Sequence, residues 1–148
     1  IPLKVAGEGP LKHLVQEAAA RNPRIEYLGA VTPAEVSALI GDAMFSVVPT
    51  VGIETFGRVA AESLARGTPA VVAGHGGLAE IVVDGKTGVF FPPGDVSAMV
   101  AAIRSLVADP ERLTQMRKVA RKDFLDRFAG DTVLAAWIDL YKNVVSGR

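Results

Sequence analysis

Short apolar runs alternate with longer stretches of helical period along almost the whole chain. Ile1–Ala6 reads as a strand and Gly7-Glu8-Gly9-Pro10 as the turn after it. Pro10 suits the first turn of a helix reaching Arg21, with Leu11, Leu14, Val15 and Ala18 on one face. Asn22-Pro23 ends that helix, and Ile25–Leu28 is a second strand closed by Gly29. Thr32 is a helix N-cap with Glu35 at the capping-box position, and this second helix ends near Gly41-Asp42. Met44–Val48 is the third strand, Pro49–Ile53 a turn, and the segment after Gly57 an apolar helix running to Gly67. Ala70–Ala73 is the fourth strand, Leu78–Val83 a short helix, and Val89–Phe91 the fifth strand. Three helices follow: Val96 to Val107, Asp109-Pro110 to Phe128, and Asp131 to Val145.

Such alternation with short connections predicts an α/β fold, a doubly wound parallel sheet covered on both faces. In such sheets ligands bind in the crevice at the carboxyl ends of the strands. Gly7–Pro10, Pro49–Gly57 and Gly74–Gly77 each follow a strand, so all three are expected on that edge.

The most informative stretch is Glu54–Gly67, ETFGRVAAESLARG. Two carboxylates, Glu54 and Glu62, stand seven residues apart around a strand-to-helix junction carrying Phe56-Gly57. Free N–H groups and the positive end of the helix dipole suit a phosphate there. Val59, Ala60, Ala61, Leu64 and Ala65 make the helix apolar almost all round, which predicts burial. A buried Glu62 needs hydrogen-bond donors, and the two hydroxyls of a ribose would supply them. Glu62 lies about 7–8 Å along the axis from the helix start, near the ribose of a nucleotide whose diphosphate caps the helix. The plainer alternative leaves one glutamate in a loop and the other paired to Arg58 or Arg66.

The chain has 148 residues, enough for one domain with a core, and equal numbers of basic and acidic residues. Zero net charge gives no reason to expect nucleic acid as a partner. The absence of cysteine and of a membrane-length apolar run or signal sequence fits a cytoplasmic protein. No Asp-x-Asp, His-x-x-x-His or cysteine set offers a metal site, and no Gly-x-Ser-x-Gly marks a hydrolase. Gly7 and Gly9 make a GxG turn too short for a dinucleotide fingerprint. His75, among three glycines at a strand-to-helix junction, either touches a transferred group or is an exposed turn residue; His13 reads as surface. The basic residues of 112–127 suit an anionic bilayer, but mixed with Asp123 and Asp126 they read first as a solvated helix face.

The ordered set AGEGPL, IEYLGAV, VVPTVGIETFGRVAAESLARGTPAVVA and GHGGLAEIVVDGKTGVFFPPGD, followed by helices, resembles the C-terminal half of the GT-B glycosyltransferases of family 4. The resemblance runs from about Leu3 to Tyr141. It implies a Rossmann-like donor-binding domain over residues 1–148, holding a UDP-, GDP- or ADP-sugar for retaining transfer without a metal or other cofactor. Glu62 would then hold the ribose hydroxyls. The backbone of Thr55, Phe56 and Gly57 would hold the diphosphate or the sugar, and Glu54 would bind sugar hydroxyls and stabilise the transition state. Gly29, Ala30 and Val31 would meet the base. Arg58 stands where the family commonly has an aliphatic residue, so it alters the charge near the phosphates.

The resemblance also implies what precedes Ile1: a first strand with an arginine and a lysine for the diphosphate, and an N-terminal domain that holds the acceptor. This chain alone is then an inactive fragment. In a sheet of order 3-2-1-4-5-6, the absent strand would separate Ile1–Ala6 from Met44–Val48, so these two should not pair directly. Upstream residues or a second copy of the chain, as a homodimer, would fill the gap. Two rival readings remain: a non-catalytic nucleotide- or protein-binding domain of the same fold, and another GT-B relative such as a sugar-nucleotide epimerase. In the complete protein, peripheral membrane contact is a further expectation.

Overall fold

A computed structural model describes residues 1–147. The chain falls into two compact units, one up to Leu39 and the other from Ile40 onward.

The first unit holds β1 (Leu3–Ala6), α1 (Lys12–Arg21), β2 (Ile25–Gly29) and most of α2 (Pro33–Asp42). β1 and β2 are parallel, with Leu3 opposite Ile25 and Val5 opposite Tyr27. The capping box forms as the sequence predicts. The Thr32 N–H donates to Glu35 Oε2 at 2.7 Å, and the Glu35 N–H donates to Thr32 Oγ1 at 3.3 Å. The backbone bond from Thr32, then its hydroxyl, hold the Glu35 carboxyl below the usual carboxylate range.

The second unit carries β3 (Ser46–Val48), α3 (Arg58–Ala65), β4 (Ala70–Ala73), α4 (Gly76–Ile81), β5 (Gly88–Phe91), α5 (Val96–Val107), α6 (Pro110–Phe128) and α7 (Gly130–Val145). Its three strands run parallel in the order β3-β4-β5. β4 lies in the middle, and its period-2 alternation sorts the core. Ala70 and Val72 face a cluster with Ala60, Leu64, Leu78 and Ile81, while Val71 and Ala73 face Ala102, Leu106 and Met116. Both faces are thus covered, so β4 is apolar at every position. Leu64, Leu78 and Leu106 are fully buried, each adding about 1.5–3 kcal/mol of apolar transfer. The buried Ser63 hydroxyl donates to the Thr68 carbonyl at 2.9 Å and accepts from Ser46 Oγ at 2.8 Å, tying α3 to the flanking strands.

Three expectations change. First, β3 begins at Ser46 rather than Met44, and just before it Arg117 Nη1 donates to the Ala43 carbonyl at 2.6 Å. Second, the basic residues of α6 are not simply a solvated face. Arg117 also donates to the Gly41 carbonyl, Arg121 to Ala65, and Arg127 to Glu80 and Ile81. These carbonyls lie at or near the C-terminal ends of α2, α3 and α4, where cations offset the negative end of the helix dipole. Third, α3 is not buried all round: Ala60, Ala61, Ser63 and Leu64 are inside, while Val59 is exposed. Among the described residues β1 pairs with β2 in the first unit, and β3 with β4 in the second.

Candidate functional site

In the second unit, the segments after β3 and β4 leave the same sheet edge because the strands are parallel. Two close backbone approaches press them together. The Gly77 N–H donates to the Glu54 carbonyl at 2.7 Å, and a Cβ at Gly77 would stand 2.6 Å from the Phe56 carbonyl carbon. Only glycine fits there. Gly57 caps α3 with φ +90°, a left-handed conformation that glycine adopts without a steric penalty. Glu54 and the start of α3 are therefore set by glycine contacts on both sides.

Glu54 is half-buried, and its Oε1 accepts from the Gly57 N–H at 3.2 Å. Thr55 and Phe56 are exposed, the Phe56 ring meeting Phe128 edge to face at 6.5 Å between centroids. Phe128 in turn lies 4.5 Å below the Arg127 guanidinium. Thr55, Phe56, Gly77, Arg127 and Phe128 help line a cavity of about 120 Å³. A larger cleft of about 590 Å³ opens beside Gly41, Arg66 and Gly67, at the opposite edge of the sheet. Its Arg117 and Arg121 donate to backbone carbonyls, as Arg127 does in the smaller cavity.

Glu62 is one turn into α3 from Arg58, and its environment differs from the expected one. Its side chain is 44% exposed, and Oε1 stands 3.5 Å from Arg58 Nε. This is the plainer pairing foreseen for Glu62, and burial does not force a ligand on it. The pair has arginine N-terminal to glutamate, the less favourable order, with the cation at the positive end of the helix. The helix dipole therefore does not favour Arg58 at this position.

His75 is half-buried rather than fully exposed, and its Nε2 meets the Gly52 carbonyl at 2.8 Å. His13 lies on the surface, as the sequence predicts.

The remaining predicted residues belong to the first unit. There the Gly7 N–H donates to the Gly29 carbonyl at 2.7 Å, and the Tyr27 hydroxyl donates to the Gly7 carbonyl at 3.0 Å. Gly7 and Gly29 thus meet at one edge, with Ala30 exposed and Val31 half-buried beyond. Gly9 accepts from the Lys12 N–H where α1 begins. Sequence reasoning missed Tyr27, and its lock on Gly7 has no signature in residue spacing. It also missed Arg127 and Phe128, which reach the site from a helix some seventy residues downstream. Among the described residues, no three His, Asp or Glu side chains form a group able to hold a metal ion.

The family described as glycosyl transferases group 1 matches residues 1–123. The chain is 34% identical over 142 residues to a glycogen synthase of Mycobacterium tuberculosis, covering 94% of this chain and 34% of that protein. It therefore spans about a third of the length of that relative. Among solved structures, Anabaena Alr3699/HepE in complex with UDP superposes with a TM-score of 0.85 at 22% identity, over 97% of this chain and 41% of that one. Sucrose-phosphate synthase from Thermosynechococcus elongatus gives 0.84 at 27% identity, over 99% and 39%. The fold is that of the GT-B enzymes, α/β with Rossmann-like parallel strands, and the chain belongs to the group 1 glycosyl transferases.

Proposed function

We propose that the chain is the donor-binding half of a retaining glycosyltransferase and holds a nucleoside-diphosphate sugar without a metal ion. The observation that carries this reading is the convergence of Glu54, the Thr55–Gly57 backbone and the start of α3 at one sheet edge, held by the Gly77 contact. In this reading the diphosphate lies against the amides that open α3, with Arg58 adding charge. Glu62 exchanges its loose pairing with Arg58 for the ribose hydroxyls. Glu54 faces the sugar. The bond from the anomeric carbon to the leaving phosphate breaks, and a new one forms to an acceptor hydroxyl on the same face. The proton passes from acceptor to leaving group. The acceptor sits on a part of the protein outside this chain, which closes over the donor and excludes water. UDP is the first nucleotide to test, since the Anabaena structure carries it.

Glu62→Gln provides the test. Nucleoside-diphosphate affinity should fall by about 1–3 kcal/mol, the range for losing a charge-assisted hydrogen bond. Stability should stay within about 0.5 kcal/mol, because an exposed ion pair contributes little. Calorimetric titration and thermal melting of both proteins measure the two quantities. Unchanged affinity would remove Glu62 from the ribose.

A further inference from the structure

The nine-residue segment Pro49–Gly57 carries Glu54 and the amides assigned above, yet little burial holds its first half. Val51 and Ile53 are 70% and 85% exposed, so the apolar residues there supply no anchor. Among the described residues, three hydrogen bonds fix the segment before α3 begins. Two involve Glu54, through its carbonyl and its carboxylate. The third joins the Gly52 carbonyl to His75 Nε2, and among the described residues it is the hydrogen bond that a side chain from outside the segment makes to it.

A carbonyl only accepts, so Nε2 carries a proton and donates it to Gly52. The ring's Nδ1 is buried and has no partner. A buried polar atom left unsatisfied disfavours the folded ring position, so a compensating role is called for. We infer that His75 is a positioning residue, whose Nε2–H holds Gly52 and so keeps Glu54 and the α3 amides in their binding arrangement. The functional half of this statement rests on the proposed donor-binding reading. It also reassigns His75, which the sequence suggested as a substrate contact.

Amide hydrogen exchange in the ligand-free chain tests the tether by itself. His75→Phe keeps a ring of similar size and removes the donor; His75→Gln restores an N–H at similar reach. In the Phe variant the Gly57 and Gly77 amides should exchange about tenfold faster, as loss of one hydrogen bond implies. Val71 and Val72 in β4 should keep their wild-type rates, and Gln should recover most of the protection. Should Phe loosen β4 as well, Gln is compared with His75→Asn, whose amide stops one bond short. Protection in Gln but not in Asn upholds the tether. Wild-type exchange at Gly57 and Gly77 in the Phe variant, or equal behaviour of Gln and Asn, overturns it. A second arm titrates UDP, GDP and ADP, where Phe should weaken the best-bound nucleotide about tenfold and Gln should restore it. Unaltered affinity in the Phe variant overturns the positioning role. A wild-type chain that binds none of the three overturns the donor-binding reading, while the exchange arm still decides the tether.

Discussion

Gly77→Ala should destabilise the second unit by about 1–3 kcal/mol and abolish measurable nucleotide binding. The added Cβ would sit 2.6 Å from the Phe56 carbonyl carbon and 2.6 Å from its oxygen. Both are backbone atoms, so no side-chain rotation relieves the clash. The segment before α3 must move, and the Gly77 N–H bond to the Glu54 carbonyl goes with it. Gly130→Ala is the control. No neighbour lies within 4 Å there and φ is not positive, so alanine should stabilise by about 0.4–1 kcal/mol through the unfolded state. Thermal melts of the two variants should therefore shift in opposite directions. A Gly77→Ala protein that melts with the wild type would mean that the two segments are not in contact.

Glu54→Ala should act on chemistry more than on binding. In the complete enzyme, turnover should fall about a hundredfold, the scale for losing one group that stabilises the transition state. Affinity for the bare nucleoside diphosphate should change much less, because the reading aims this carboxylate at the sugar. The variant also leaves the Gly57 N–H without its present acceptor. That loss should appear as a modest stability cost of about 1 kcal/mol, as for a helix cap. Steady-state kinetics and nucleotide titration on the same protein separate the effects. Equal losses in turnover and in nucleoside-diphosphate affinity would place Glu54 on the nucleotide.

Much of the fold was legible because local signals agreed with one another. Ala70–Ala73 is a strand over the residues predicted, as its short all-apolar run flanked by turn residues implies. Asp95 and Asp109 cap α5 and α6 at the expected places, accepting from the amides of Ala98 and Arg112. The candidate site was legible in outline, since Glu54, Gly57 and Gly77 are read from spacing and glycine position alone. What failed was anything that depended on which side of an element faces inward. The alanines of α3 mark no face, so the sequence suggested burial all round, and Glu62 proved half-exposed beside Arg58. Nor did the charge pattern of α6 distinguish solvated arginines from ones that donate to distant helix ends. That distinction lies in contacts across 46 to 76 residues of chain. α7 shows the same limit. Its apolar spacing predicts a helix correctly, yet none of its residues is buried, and Trp137 and Tyr141 stay exposed.

The central claim is that this chain holds a nucleoside diphosphate at the start of α3. Titrating the ¹⁵N-labelled chain with UDP, GDP and ADP while following its amide spectrum tests it most directly. The account predicts saturable shifts for at least one nucleotide, concentrated at Glu54–Glu62 and His75–Gly77. Shifts confined to the basic cleft around Arg66 and Lys118, or no saturable shift with any of the three, would contradict it.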